Sequence, residues 1–150
     1  MLDTQETVTN PLLDPIPVNP KARTRTIPAN RLFEQRCLVA AKTICDSIGM
    51  NRYTVFRDRD RKDPLVHARY ITMAIVYLIL EKRYVSKAVA STFGYKDHTS
   101  VFTAARKVHD ALSAKTGEMC RKTVLACTAL GIDPDELLLA SEKYDRNKTN

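Results

Sequence analysis

Residues 86–112, SKAVASTFGYKDHTSVFTAARKVHDAL, predict two helices separated by a tight turn. Val89 and Phe93 are four residues apart, which is the spacing that places two side chains on one face of a helix. We therefore predict a first, short helix from Ser86 to Phe93. Gly94 is expected to end it, because glycine readily adopts the left-handed backbone conformation that closes a helix.

A second helix is predicted after this turn, with Asp97 or Thr99 as its N-cap and Leu112 near its end. Apolar residues at helical spacing predict its buried face, namely Val101, Ala104, Ala105, Val108 and Leu112. Two short helices joined by a tight turn are typical of a helix-turn-helix. In that motif the N-terminal residues of the second helix contact base edges in the major groove of DNA.

Short polar side chains occupy the predicted start of the second helix. They are Asp97, His98, Thr99 and Ser100. Such groups can hydrogen-bond to base edges or to phosphates, and the backbone N–H groups of a helix N-terminus also favour a bound phosphate. Arg106 and Lys107 follow two turns later, where they could reach the flanking DNA backbone. This pattern predicts a DNA-contacting surface on the second helix.

Apolar periodicity on both sides of this region predicts an all-α helical bundle of about six helices. A long first helix is predicted from its N-cap, Asn30, to Gly49, followed by a short helix or turn and an exposed loop. A second long helix is predicted from Leu65 to Arg83, with Pro64 in its first turn. Because this helix is apolar nearly all round, we expect it at the centre of the bundle.

Three regions are predicted along the chain. Residues 1–29 hold most of the prolines and are expected to be a disordered tail, because proline blocks helix and strand alike. Residues 30–115 are the predicted DNA-binding domain, and residues 116–150 are a C-terminal helical extension whose last helix starts at Asp133-Pro134. The extension could pack on the core or form the surface of a homodimer, and the sequence leaves both arrangements open.

The chain is basic, with 24 Lys and Arg against 17 Asp and Glu among its 150 residues and a formal net charge of +7. Residues 31–115 contain sixteen basic and eight acidic residues, so the excess positive charge lies in the predicted DNA-binding domain. This distribution favours a polyanionic partner, and double-stranded DNA is the first candidate. Lys21, Arg23 and Arg25 add a basic cluster before this domain, which either increases solubility or follows a DNA groove.

Other classes of protein are not indicated by the sequence. The most apolar stretch, residues 71–80, is too short to cross a bilayer, so no membrane partner is expected. The four cysteines form no CxxC pair, which predicts reduced cysteines in a core rather than a metal site. His67 and His109 have no carboxylate or cysteine partner at a useful spacing, and we interpret both as surface or structural residues. We therefore predict a cytoplasmic protein that is not an enzyme and needs no small-molecule cofactor.

Residues 93–108, FGYKDHTSVFTAARKV, resemble the signature FGGRDHTTVLHACRKI of the C-terminal DNA-binding domain in the DnaA family of bacterial replication initiators. The identical positions are Phe93, Gly94, Asp97, His98, Thr99, Val101, Ala104, Arg106 and Lys107. Upstream, residues 65–75, LVHARYITMAI, resemble the family's IVxARQIAMYL, and residues 58–63, DRDRKD, lie where the family has a basic loop. The resemblance covers about residues 44–112 and implies a helix-turn-helix that binds double-stranded DNA.

The resemblance also implies roles for individual residues. The residues that would read bases in the major groove are Asp97, His98 and Thr99. Arg61 lies where the family places an arginine in the adjacent minor groove. The residues at phosphate-contacting positions are Arg69, Ser100 and Lys107. The remaining predicted DNA contacts are Lys62, Lys96, Thr103 and Arg106.

The chain also departs from the family pattern. Ser86-Lys87 replaces a Leu-Pro pair that contacts thymine methyl groups, Asp63 replaces a basic loop residue, and Tyr70 replaces a phosphate-contacting Gln. No GxxxxGK[ST] loop is present, so the resemblance implies a DNA-binding domain without the family's ATPase module. Such a protein, of bacterial or phage origin, would regulate replication or transcription at DnaA-box-like sites. The alternative is a protein-interaction or structural module that keeps the fold and has lost specific DNA readout.

Overall fold

The structure, a computed structural model, describes residues 25–28, 31–57 and 63–145. Within these ranges the chain forms seven α-helices and no β-strand, so the all-α prediction is confirmed. The helices are α1 (Leu32–Ser47), α2 (Arg52–Arg57), α3 (Asp63–Ile75), α4 (Ser86–Thr92), α5 (Thr99–Ala114), α6 (Glu118–Leu130) and α7 (Pro134–Ser141). A π-helical turn, Val76–Leu80, follows α3, and a 3-10 turn, Glu142–Tyr144, follows α7.

The segment formed by α3 and the π-helical turn lies at the centre of the fold, as its apolar sequence predicts. Every residue from 71 to 78 is buried. α3 packs against α1, α2, α5 and α6, and the predicted apolar face of α5 is buried in the same core. None of the helices in the described ranges is both long and apolar enough to cross a membrane.

The C-terminal helices α6 and α7 also pack on this core. The buried apolar residues of this region are Ala126 and Cys127 on α6, Ile132 in the loop and Leu137 on α7. These side chains lie in one cluster with residues of α1, α3 and α5. The predicted start of α7 is confirmed, because the Asp133 carboxylate caps the helix by accepting the N–H of Asp135 at 2.9 Å. The C-terminal extension therefore shares its hydrophobic core with the predicted DNA-binding domain.

The ends of the two long helices differ from the prediction. α1 has Arg31 at its N-cap position, without a side-chain hydrogen bond, and Asn30 lies outside the described residues. The central helix ends in the π-helical turn, before Arg83. The N–H of Glu81 donates to the carbonyl of Val76 at 2.7 Å, and the backbone of Glu81 then leaves the helical conformation. Because the helix ends before Arg83, the carbonyl of Arg83 lies outside it and accepts a hydrogen bond from the distant residue Thr26.

Residues 25–28, which the sequence places in a disordered tail, are anchored to the fold. Thr26 forms a parallel β-bridge with Tyr84. The N–H of Thr26 donates to the Arg83 carbonyl at 2.7 Å, and the carbonyl of Thr26 accepts the N–H of Val85 at 2.9 Å. The high proline content of this segment does not exclude the bridge. Only Thr26 takes part in it, and Thr26 has the backbone N–H that proline lacks. The rest of the predicted tail lies outside the described residues.

The four cysteines are free thiols, as the sequence predicts, and three of them are buried, namely Cys37, Cys45 and Cys127. Burial raises the pKa of Cys37 to about 12 and the pKa of Cys45 and Cys127 to about 11. At neutral pH these thiols are protonated and pack as small apolar side chains.

Candidate nucleic-acid interface

The turn between α4 and α5 has a defined backbone geometry. Gly94 adopts a left-handed conformation with a φ of 85°. The N–H of Gly94 donates to the Ser91 carbonyl at 3.0 Å, and the N–H of Tyr95 donates to the Ala90 carbonyl at 2.8 Å. These two bonds form a Schellman motif, which ends α4 and redirects the chain toward α5. Phe93 is buried at this corner, as predicted.

α5 begins at Thr99, so His98, and neither of the two predicted N-caps, holds the N-cap position, and the Asp97 carboxylate caps the first turn from one residue earlier. Asp97 Oδ1 accepts the N–H of Thr99 at 2.9 Å, and this bond holds the pKa of Asp97 below its usual value. The N–H groups of Ser100 and Val101 donate to the carbonyls of Asp97 and His98. The sequence leads us to expect free N–H groups at this helix start, whereas each of these three has a partner inside the turn.

Three of the four short polar side chains predicted at this turn are exposed, namely Asp97, His98 and Thr99, and Lys96 before them is exposed as well. The fourth, Ser100, is half-buried, and its hydroxyl donates to the Asp97 carbonyl at 2.8 Å. The side chain of His98 is 52% exposed and that of Asp97 is 68% exposed. His98 Nδ1 lies 3.6 Å from Asp97 Oδ1, which is beyond hydrogen-bond distance. Val101, by contrast, is fully buried, so the helix changes from an exposed polar turn to a buried face within two residues.

A groove of about 580 Å³ lies between α3 and α5, beside this turn. It is lined by Val66, Arg69, Tyr70, Tyr95, Thr99, Ser100 and Thr103. Four of these residues are predicted DNA contacts, namely Arg69, Thr99, Ser100 and Thr103. The fold therefore brings predicted contacts from two separate helices to one groove.

Arg69 is more buried than a phosphate-contacting residue is expected to be. Only 7% of it is exposed, and its Nε donates to the Val55 carbonyl at 2.6 Å. This bond joins α3 to α2. A hydrogen bond from a charged donor contributes roughly 1.5–3 kcal/mol to stability, so Arg69 has a structural role as well as a place in the groove.

The other predicted contacts do not line this groove. On α5, Lys107 is exposed and Arg106 is half-buried. Lys96 is exposed in the turn. Within the part of the chain that the structure describes, none of these three side chains has an ion-pair partner. Arg61 and Lys62, predicted to contact DNA from the loop before α3, lie outside the described residues.

Arg25, the last residue of the predicted basic cluster, is attached to the fold. Its guanidinium donates to the carbonyls of Tyr77 at 2.7 Å and of Tyr84 at 3.2 Å. The guanidinium also lies 3.8 Å from the centroid of the Tyr77 ring. Arg25 is therefore held by these contacts, while Lys21 and Arg23 lie outside the described residues.

His109 has partners that its sequence context does not indicate. The ring is buried, with Nδ1 3.0 Å from the Ser141 hydroxyl and Nε2 3.2 Å from a carboxylate oxygen of Asp145. Of the two interpretations that the sequence left open for His109, surface or structural, the structural one agrees with this environment, and its carboxylate partner Asp145 is distant in sequence and close in space. These contacts hold the C-terminal 3-10 turn against α5.

Two aromatic residues near the turn were not among the predicted site residues. The Phe102 ring meets the His98 ring edge to face, with centroids 5.4 Å apart. Tyr144, from the 3-10 turn, stacks on Phe102 at a centroid distance of 5.5 Å. The four-residue spacing of His98 and Phe102 is a signal in the sequence, whereas nothing in the sequence links Tyr144 to either residue.

No protein-family model, curated protein or solved structure matches the chain. The resemblance to the DnaA family therefore rests on the motif residues quoted from the sequence, and the function that it implies is a proposal.

Proposed function

We propose that the chain binds double-stranded DNA in a sequence-specific manner, through a helix-turn-helix formed by α4 and α5. One observation carries this proposal: residues 96–99 form a turn of exposed polar side chains at the start of a helix whose opposite face is buried in the core. A recognition helix needs this combination, because its N-terminal side chains must enter the major groove while the rest of the protein holds the helix in place.

His98 and Thr99 are the residues proposed to read base edges. An imidazole and a hydroxyl can each donate and accept hydrogen bonds, and both side chains are exposed. Asp97 acts differently, because one of its carboxylate oxygens caps α5. The other oxygen could accept a hydrogen bond from the amino group of cytosine. A good specific contact discriminates against the wrong base by about 1–3 kcal/mol.

Two groups of residues are proposed to contact phosphates. The first group carries positive charge without an ion-pair partner among the described residues, and consists of Lys96, Arg106 and Lys107. The second group lines the groove between α3 and α5, and consists of Arg69, Ser100 and Thr103. Phosphate contacts of this kind fix the register in which the shorter side chains reach the bases. Occupation of such sites would regulate replication or transcription without ATP hydrolysis.

Fluorescence anisotropy on two labelled duplexes tests the proposal. One duplex carries a DnaA box and the other has the same bases in scrambled order, and both are titrated at low and at physiological salt. Because Ser86-Lys87 departs from the family's base-contacting pair, a selection from a randomised duplex library is run in parallel to find a preferred sequence that differs from the DnaA box. We expect a preference for one sequence that persists at physiological salt.

Equal binding to all duplexes that is lost as the salt concentration rises would refute sequence-specific readout, because it reports only counterion release from the phosphate backbone. The alternative, a protein-interaction or structural module with the same fold, would then be favoured.

A further inference from the structure

A continuous set of side chains in contact, which we name the aromatic ladder, connects the candidate recognition turn to the N-terminal segment. Its members, in order, are His98, Phe102, Tyr144, Tyr77 and Arg25. Successive ring centroids are 5.4, 5.5 and 6.3 Å apart, and the Arg25 guanidinium lies 3.8 Å from the centroid of the Tyr77 ring. At these separations aromatic pairs and cation–π pairs attract each other.

Tyr144 enters the ladder from the C-terminal 3-10 turn, and it is held there on both sides. Its hydroxyl donates to the Tyr77 hydroxyl at 3.1 Å, and burial together with this bond raises the pKa of Tyr144 above its ordinary value. The flanking residues Ser141 and Asp145 contact the buried His109 ring at 3.0 and 3.2 Å. The Tyr144 ring is therefore fixed against α5.

The His98 ring has Phe102 as its aromatic neighbour. An exposed imidazole can occupy several rotamers, and at 3.6 Å from Nδ1 the Asp97 carboxylate does not hold the ring by a hydrogen bond. The edge-to-face contact with Phe102 restricts the imidazole. Phe102 is itself half-buried, with Tyr144 stacked on it at an interplanar angle of 25° and Tyr77 edge-on at 6.0 Å. A group that reads a base must be held within about 0.5 Å of its productive position.

We infer that Tyr144 is a positioning residue for DNA readout, which orients the base-reading imidazole of His98 through the ring of Phe102. The inference rests on the proposed function. The C-terminal extension would then contribute to sequence specificity, because the path of the chain through α6 and α7 places the Tyr144 ring against α5.

Three variants distinguish the effect of the Tyr144 ring from the effects of its hydroxyl and of the rest of the C-terminal extension. Tyr144→Ala removes the ring, Tyr144→Phe keeps the ring and removes the hydroxyl, and Leu139→Ala changes an exposed residue of the same extension. Thermal unfolding followed by circular dichroism shows whether each variant is folded at the temperature of the assay. If Tyr144→Ala is unfolded in the assay, Tyr144→Leu takes its place, because it keeps an apolar side chain without an aromatic face.

NMR of the unbound proteins then reports on the His98 ring directly. The carbon-bound protons of His98 sense the ring of Phe102, so their chemical shifts change when that ring moves. We expect Tyr144→Ala to shift these resonances, and we expect Tyr144→Phe and Leu139→Ala to leave them in place. Unchanged His98 resonances in Tyr144→Ala would overturn the inference.

DNA binding by the same variants is measured as the ratio of the affinities for the preferred and the scrambled duplex. We expect Tyr144→Ala to lower this ratio roughly tenfold, the equivalent of about one specific contact. Tyr144→Phe should change it by less than about threefold, because the stack on Phe102 remains. The double variant His98→Ala/Tyr144→Ala should lose no more than His98→Ala alone, because the effect of Tyr144 passes through His98.

Two outcomes of the binding experiment separate this inference from the proposed function. A ratio that Tyr144→Ala leaves unchanged, or losses that multiply in the double variant, would refute the positioning role alone. A wild-type protein with no preference for any duplex would refute the proposed function itself.

Discussion

The side chain of Leu137 provides a quantitative test of how α7 is attached to the fold. Leu137 is completely buried, in the cluster that contains Phe33 of α1 and Val108 of α5. Leu137→Ala removes part of this buried side chain and leaves a cavity, which costs about 2–5 kcal/mol in well-packed cores. Leu139 lies two residues along the same helix and is 68% exposed, which makes it a matched control. Leu139→Ala should change the free energy of unfolding by less than about 0.5 kcal/mol.

Urea denaturation followed by circular dichroism measures both changes, provided that the slope of the transition is the same in each variant. In a chain of this size, each kcal/mol of lost stability should also lower Tm by roughly 2–4 °C. If Leu137→Ala cost no more than Leu139→Ala, α7 would not be part of the core. The description of the C-terminal extension as packed on the predicted DNA-binding domain would then be refuted.

Two further predictions concern α5. Lys107→Ala should weaken binding to the preferred and scrambled duplexes alike and lower the slope of log affinity against log salt by about 1, because one phosphate contact is lost. Anisotropy at several salt concentrations measures this slope, with Lys42→Ala on α1 as the control, and an unchanged slope would remove Lys107 from the proposed interface. The pKa of Asp97 is lowered in the folded protein, so its cap stabilises α5 at neutral pH and is lost as the pH falls through the folded pKa. An NMR titration of the Thr99 amide should therefore show a transition below about pH 3.9, the ordinary pKa of Asp, and Asp97→Asn should abolish it.

The helices could be predicted from the sequence because each one repeats its pattern locally. α5 is sixteen residues long, so its apolar spacing recurs over four turns, and the residues predicted to face inward are all buried. Asp133-Pro134 marked the start of α7 for the same reason, because a cap and a helix-initiating proline act on neighbouring residues.

Contacts between distant segments could not be predicted in this way. The bridge between Thr26 and Tyr84 joins a proline-rich stretch to the end of the central helix, and no periodicity relates the two. The contact of His109 with Asp145 and the stacking of Tyr144 on α5 depend on the path of the chain through α6 and α7. A local pattern contains no information about that path.

In the candidate site, too, the local features could be predicted from the sequence and the contacts between helices could not. The exposed polar turn at residues 96–99 follows from the motif and from the helix start. The burial of Arg69 does not, because its Nε meets the Val55 carbonyl of another helix. The sequence indicates both roles of Asp97, as a candidate cap and as a predicted base contact, and the structure adds that one of its carboxylate oxygens accepts the Thr99 N–H.

The affinity ratio of His98→Ala tests the central claim most directly. The ratio compares the preferred duplex with the scrambled duplex by anisotropy at physiological salt, in the wild-type protein and in the variant. If the start of α5 reads bases, His98→Ala should lower the ratio by about 5- to 150-fold, the equivalent of 1–3 kcal/mol, with little change in affinity for the scrambled duplex. A variant with the wild-type ratio, or one that loses affinity equally for both duplexes, would contradict the account.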